Sequence, residues 1–141
     1  MKIGIIKEYK SPPDKRVVFS PEKCVETLQK FPQVEFFIEK SDIRCFSDSE
    51  YEEMGLKVVT DLSNCDVLIG VKEVPIEKLI DNKKYFFFSH TIKKQPYNKK
   101  FPNYLLQMNL QQVQLLGLKT LFHEKSLLYL PKLLKSLRQF P

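Results

Sequence analysis

The chain has 141 residues, enough for one domain with one hydrophobic core, and 43% of them are hydrophobic. No apolar run approaches the roughly 20 residues of a membrane span, and the first residues lack the longer apolar region of a secretory signal, so we expect a cytoplasmic protein without a membrane partner. The net charge of +6 comes from the end of the chain, since residues 91–141 hold nine Lys and Arg against one acidic residue, whereas residues 1–90 hold 14 against 16.

Apolar, β-rich segments alternate with helical segments along residues 1–90. Ser20 and Pro21 form the N-cap and first-turn proline of a helix start, and Pro32 ends that helix. A second, short acidic helix is predicted at residues 48–54 with Gly55 behind it, and a helical turn at residues 75–79. Strands are predicted at residues 2–8, 34–39, 57–60, 65–71 and 85–89.

The order of these elements predicts an α/β fold. The run CDVLIGV at residues 65–71 is apolar throughout, which is typical of a parallel strand buried on both faces. Strands that alternate with helical segments favour right-handed crossovers. We therefore expect a doubly wound, mostly parallel sheet of the flavodoxin-like or Rossmann-like kind.

Three cationic or titratable residues follow predicted strands at the end where open parallel sheets bind ligands. They are Arg16, Lys72 and His90. A guanidinium suits a two-pronged hold on a carboxylate, and a partly desolvated lysine or histidine could polarise a carbonyl or imine and exchange its proton. Glu73 could tune Lys72 by pairing with it. Each residue also has a plainer interpretation, because a lone histidine after a strand is more often scaffolding and a Lys-Glu pair is more often a solvated strand end.

Metal and cofactor sites are not indicated by the residue pattern. Cys24, Cys45 and Cys65 are far apart and have neither zinc-site nor disulfide spacing, so we expect reduced thiols and no metal. The chain has only four glycines, at positions 4, 55, 70 and 117, so no GxGxxG turn can hold a dinucleotide phosphate.

The last 41 residues differ in composition from the rest. Residues 101–141 hold thirteen leucines and a single acidic residue, Glu124. We predict a domain over residues 1–118 and an atypical, leucine-rich, basic helical tail over residues 119–141. An exposed leucine face would favour association with a partner or with further copies of the chain, which leaves an inactive interaction or homo-oligomerisation module as the alternative function. The tail has no motif of a nucleic-acid binder, so no nucleic-acid partner is expected.

Four motifs in order resemble a known family over residues 1 to about 100. They are MKIGIIKEYKSPPDKRVVFSPEKC, EYEEMGLKVV, DVLIGVKEVP and FFFSHTIKKQPYN. They look like the N-terminal domain shared by alanine dehydrogenase, the transhydrogenase alpha subunit and lysine-forming saccharopine dehydrogenase. The GVKEVP and SHTIK segments are most similar to the saccharopine dehydrogenase and lysine-ketoglutarate reductase branch.

The resemblance implies an oxidoreductase that interconverts an amino acid and a 2-oxo acid with NAD or NADP. It implies that Arg16 binds the substrate carboxylate and that Lys72 and His90 are catalytic. In the saccharopine branch it further implies that Glu73 and Lys93 contact the substrate.

The resemblance weakens after residue 100. The segment LLQMNLQQVQLLGLK echoes the family's helix and strand, but the LIDYE sequence and the dinucleotide-binding domain are missing. We therefore expect the substrate half of such an enzyme, truncated and inactive alone, that binds no cofactor tightly.

Overall fold

The computed structural model describes residues 1–9, 11–72 and 74–88, together with a strand at Gln111–Gln114. Six strands form one sheet, in the order β3-β2-β1-β4-β5-β6, and every neighbouring pair is parallel. The predicted α/β fold with a parallel sheet is therefore confirmed. The strands are β1 (Lys2–Ile5), β2 (Glu35–Glu39), β3 (Lys57–Val59), β4 (Val67–Lys72), β5 (Lys84–Phe88) and β6 (Gln111–Gln114).

The strand order determines where a ligand can approach the sheet. From the central β1 the chain moves outward through β2 to β3, then returns to place β4 on the other side of β1. The connections that leave β1 and β4 at their carboxyl ends therefore run in opposite directions. Such a reversal opens a crevice between two strands, and ligands of parallel sheets bind there.

Both α-helices begin where their caps predict. Helix α1 (Pro21–Lys30) starts from Ser20, whose hydroxyl accepts the Lys23 N–H at 3.3 Å. Helix α2 (Asp48–Glu53) starts from Ser47 in a capping box, and Gly55 follows its end with a φ of 77°. A 3₁₀ helix (Ile76–Lys78) occupies the predicted helical turn.

Side chains of the strands alternate between two apolar layers, one on each face of the sheet. The first layer packs under α1 and α2 and contains Ile3, Ile5, Phe36, Ile38, Val67, Ile69, Val71 and Phe86. The second layer contains Ile6, Leu62, Cys65, Leu68, Val74, Tyr85 and Phe87. Gly4 faces this second layer, where a Cβ would lie 2.6 Å from a methyl carbon of Leu68. A side chain at position 4 would therefore displace Leu68.

Two expectations from the sequence differ from the structure or fall outside it. The first strand was predicted at residues 2–8, but β1 ends at Ile5, because the chain beyond it turns to the site described below. The predicted boundary at residue 118 and the leucine-rich tail at residues 119–141 lie outside the described residues. The three cysteines are free thiols, as expected: Cys24 and Cys65 are buried and Cys45 is exposed.

Candidate functional site

The carboxyl ends of β1 and β4 lie side by side and carry the residues of interest. Ile5 of β1 pairs with Ile69 of β4, and the Ile6 N–H continues this ladder by donating to the Ile69 carbonyl at 2.9 Å. Beyond this point β1 has ended, but β4 continues to Lys72. The backbone N–H groups at the end of β4 therefore need acceptors that β1 no longer supplies.

Glu8 supplies those acceptors with its side chain. One carboxylate oxygen accepts the Val71 N–H at 2.7 Å and the other accepts the Lys72 N–H at 3.1 Å. Glu8 is only 7% exposed. Burial raises the pKa of Glu8 to about 7, although the two N–H bonds and the nearby Arg16 lower it. A buried carboxyl group thus bonds the backbone at the end of β4, where the candidate Lys72 lies.

The sheet is irregular at the same place. Ile69 pairs with Phe86 and Lys72 with Phe88, so three steps along β4 match two along β5. An extra residue of this kind bends a strand and takes its N–H groups out of the regular ladder. Bulges are enriched beside active sites because they redirect a side chain. Here the irregularity lies between Ile69 and Lys72, at the end of β4.

Arg16 is held in a tight local turn by Asp14. The Arg16 Nε–H donates to Asp14 Oδ1 at 2.8 Å, a guanidinium Nη2–H donates to Asp14 Oδ2, and the Arg16 backbone N–H donates to Oδ1 at 3.1 Å. The hydrogen bond from Arg16 lowers the pKa of Asp14 to about 2. The Arg16 side chain is 52% exposed. Asp14 therefore fixes one edge of the guanidinium and leaves the other edge facing outward.

These groups form one electrostatic cluster, which we call the edge cluster: Glu8, Asp14, Arg16 and Lys72. Burial and the Val71 hydrogen bond have the largest effects on the pKa of Glu8. The charge of Asp14 raises this pKa further, and the charge of Arg16 lowers it. The Lys72 ammonium lies close enough to contribute to the low pKa of Asp14, after the stronger effect of Arg16. Arg16 and Lys72, which are distant in the sequence, therefore both act electrostatically on the Asp14 carboxylate.

Three of the residues singled out in the sequence cannot be placed. Glu73, His90 and Lys93 lie outside the described residues, and so does the suggested pairing of Glu73 with Lys72. Two members of the edge cluster were missed. The sequence places Glu8 at the end of the predicted first strand and does not single out Asp14. A sequence signal existed for both, since Glu8 follows an apolar strand and Asp14 stands two residues before Arg16, a spacing at which aspartate bonds its own backbone.

A second polar feature lies next to the second apolar layer of the sheet. A cavity of about 150 Å³ is lined by Tyr9, Glu39, Asp61, Lys78 and apolar residues of the second layer. The Tyr9 hydroxyl donates to Glu39, which also accepts the Lys7 N–H at 3.0 Å. Neither Arg16 nor Lys72 lines this cavity. It is therefore separate from the edge cluster.

The described residues contain neither a metal-binding cluster nor a membrane-spanning helix. Within residues 1–9, 11–72 and 74–88, no group of three or more histidine, cysteine, aspartate or glutamate residues is arranged to hold a metal ion. No helix in the described part of the chain is long and apolar enough to cross a bilayer.

Comparison with known proteins gives a family match over most of the chain. The model of the family described as alanine dehydrogenase/PNT, N-terminal domain, matches residues 4–121. This range contains the whole edge cluster and all six strands except the first two residues of β1. The match extends beyond residue 100, where the motifs in the sequence weaken, and β6 lies within this extension.

Relatives and solved structures agree with that match. An alpha-aminoadipic semialdehyde synthase from Arabidopsis thaliana is 29% identical over 100 residues, which are 68% of this chain and 9% of the relative. The mitochondrial alpha-aminoadipic semialdehyde synthase of Bos taurus is 37% identical over 76 residues, 54% of this chain and 8% of the relative.

Two solved structures share the fold. A structure of L-alanine dehydrogenase covers 81% of this chain with a TM-score of 0.65 at 21% identity, and a transhydrogenase from Sinorhizobium meliloti covers 81% with a TM-score of 0.61 at 20% identity. The match spans 32% and 34% of those two chains. This chain therefore corresponds to about a third of each solved chain and to less than a tenth of the synthases.

Proposed function

The chain belongs to the alanine dehydrogenase/PNT N-terminal domain family, and we propose that it is the substrate-binding half of an NAD(P)-dependent amino-acid oxidoreductase. The observation that supports the proposal is that Arg16 bonds Asp14 and that Lys72, at the end of β4, acts electrostatically on the same carboxylate. An amino acid or 2-oxo acid presents a carboxylate beside a carbonyl or amine. A guanidinium and an ammonium in one crevice match these two groups.

Arg16 would bind the substrate carboxylate through the outward edge of its guanidinium. A guanidinium has five N–H donors. Asp14 takes the Nε–H and one Nη2–H, which leaves the Nη1–H groups and the second Nη2–H directed away from Asp14. Those donors can bind a carboxylate in a two-pronged fashion. Asp14 thereby orients the guanidinium before a substrate arrives, which lowers the entropy cost of binding.

Lys72 would polarise the substrate carbonyl or imine and hold a proton near it. Its backbone is fixed by Glu8, and its side chain emerges where β4 bends. The family resemblance adds His90 as the second catalytic group, and Glu73 and Lys93 as residues that contact the substrate. His90 follows β5 in the sequence, and β5 is the neighbour of β4 in the sheet.

The described residues do not fit a nicotinamide cofactor. Binding its pyrophosphate requires glycines at a turn between a strand and a helix. Gly4 is packed inside β1 against Leu68, Gly70 lies within β4, and Gly55 follows the end of α2. We therefore assign the edge cluster to the amino-acid or 2-oxo-acid substrate.

Calorimetric titration of the 141-residue chain tests the proposal. The probes are pyruvate, 2-oxoglutarate, L-alanine and L-lysine, with NAD⁺ and NADH as a second series. We expect binding of at least one oxo acid or amino acid, weakened about tenfold or more in Arg16→Met because a charged hydrogen bond contributes about 1.5–3 kcal/mol. The matched control is Lys57→Met, which removes an exposed cation whose partner, Glu35, is on β2.

Two results would contradict the proposal. One is equal affinity of the wild-type chain and Arg16→Met for every probe that binds. The other is the absence of oxo-acid and amino-acid binding in a folded wild-type chain. Micromolar binding of NADH would refute the expectation that this chain binds no cofactor tightly.

A further inference from the structure

We propose that Glu8 is a positioning residue of the substrate site: its carboxylate replaces the missing β1 backbone at the end of β4 and thereby holds Lys72 beside Arg16. This inference rests on the proposed function for the role of Lys72. Glu8 itself touches no reacting group in this account. It acts through the backbone of Val71 and Lys72.

The geometry of the strand end is the first step. A regular parallel ladder would continue from the Ile6 N–H bond to Ile69, but β1 ends before β4 does. The Val71 and Lys72 N–H groups are adjacent in sequence and both point to Glu8, at 2.7 and 3.1 Å. Neighbouring N–H groups on a regular strand point to opposite sides, so a single acceptor reaches both only because the strand is irregular there. The carboxylate thus stabilises the bent backbone.

The chemistry of the carboxylate is the second step. A carboxylate has two acceptor oxygens, so the Val71 and Lys72 N–H groups can each bond a different oxygen. Glutamine has one acceptor and one donor, so its NH₂ group would face an N–H group. One N–H at a buried position would then lack a partner, which costs about 1–3 kcal/mol and favours release of the strand end. Glu8→Gln therefore removes the paired hydrogen bonds to Val71 and Lys72 with little change in side-chain shape.

The environment of Glu8 allows its hydrogen bonds to Val71 and Lys72 to be followed by a pH titration. Burial is the main reason that the pKa of Glu8 rises to about 7. Among the described charged groups, Asp14 raises this pKa further and Arg16 lowers it, both from the loop that follows β1, while the N–H groups of β4 lower it. The carboxylate therefore gains a proton near neutral pH, and the two amide protons that it accepts report this change directly.

Glu39 offers a matched control on the same edge of the sheet. It is 8% exposed, accepts a backbone N–H from Lys7 at 3.0 Å and accepts the Tyr9 hydroxyl. It ends β2 and lines the separate cavity beside the second apolar layer. Glu39→Gln therefore removes a similarly buried carboxylate that accepts its hydrogen bonds from Lys7 and Tyr9 rather than from Val71 and Lys72.

The experiment compares the full-length wild-type chain, Glu8→Gln and Glu39→Gln by NMR. In the wild-type chain we expect the Val71 and Lys72 amide protons to titrate together with a midpoint near pH 7. In Glu8→Gln this titration disappears, amide hydrogen exchange at both positions accelerates at least tenfold, and the Lys72 ε-methylene signal moves toward its random-coil position. Glu39→Gln leaves all three readouts as in the wild type.

Titration of the oxo-acid probe that binds best then tests the role. Glu8→Gln is expected to weaken binding at least tenfold, with Glu39→Gln within twofold of the wild type. If Glu8→Gln does not fold, Glu8→Asp replaces it, since aspartate keeps the charge but is one methylene shorter and cannot reach both N–H groups.

The outcomes separate this inference from the proposed function. If the wild-type chain binds a probe and Glu8→Gln binds it equally well, the positioning role is refuted and the proposed function stands. If the wild-type chain binds no probe, the proposed function fails. The exchange rates and the Lys72 signal then decide the positioning role alone, and equal changes in Glu8→Gln and Glu39→Gln would overturn it.

Discussion

Replacement of both Arg16 and Lys72 by methionine is expected to weaken 2-oxo-acid binding at least a hundredfold while the chain stays folded. Each cation would contribute one charged interaction with the ligand, and two such interactions are together worth about 3–6 kcal/mol. The fold should survive because the Arg16 side chain is half exposed and because Glu8 holds the Lys72 backbone rather than its side chain. Calorimetry with the best oxo-acid probe measures the loss, and circular dichroism verifies the fold.

Two further variants refine this test. Arg16→Lys keeps the charge but cannot form the two-pronged contact, so it should recover only part of the affinity lost in Arg16→Met. Lys23→Met removes an exposed cation of α1 and should bind as the wild type does. If the double variant binds the probe within threefold of the wild type, neither Arg16 nor Lys72 belongs to the substrate site.

Arg44→Met is expected to lower the free energy of unfolding by about 3 kcal/mol, because it leaves buried acceptors without donors. The Arg44 side chain is only 5% exposed. It donates to the Glu39 carbonyl at 2.8 Å, to the Phe46 carbonyl at 3.0 Å and to the Asp48 carboxylate, and it lies 4.5 Å from the ring centre of Tyr51. One side chain thus ties the end of β2 to the start of α2.

Urea unfolding followed by circular dichroism measures this effect. The control is Lys23→Met, since the Lys23–Glu26 ion pair has a good N–O distance of 2.9 Å but is exposed. Exposed pairs of this spacing contribute about 0.5 kcal/mol or less. If Arg44→Met and Lys23→Met change the stability by the same small amount, the buried guanidinium does not anchor this region.

Local signals in the sequence predicted most elements because they act over short distances. Ser20 and Pro21 mark the start of α1, and the apolar run of residues 65–71 marks β4, since capping and burial depend on neighbouring residues. The strand order depends on pairing between distant segments, which periodicity does not report. The strand at Gln111–Gln114 has three glutamines and one valine, so no apolar pattern indicated it, and its partner β5 is more than 20 residues away.

The candidate site was predictable only in part for a similar reason. Arg16 and Lys72 were found because cations that follow strand ends are conspicuous. Glu8 was missed because Ile3, Gly4, Ile5 and Ile6 make a strand that runs on through position 8 equally plausible. That Glu8 instead turns to bond β4, 63 residues away, depends on tertiary structure. The bend at Gly70 and Val71 likewise has no signature in an apolar run.

Mapping of ligand-induced amide shifts by NMR on the wild-type chain tests the central claim most directly. Upon addition of the best oxo-acid probe, we predict the largest shifts at Glu8, Asp14, Arg16, Val71 and Lys72. Shifts centred instead on Tyr9, Glu39 and Asp61, around the separate cavity, would contradict the assignment of the substrate to the edge cluster.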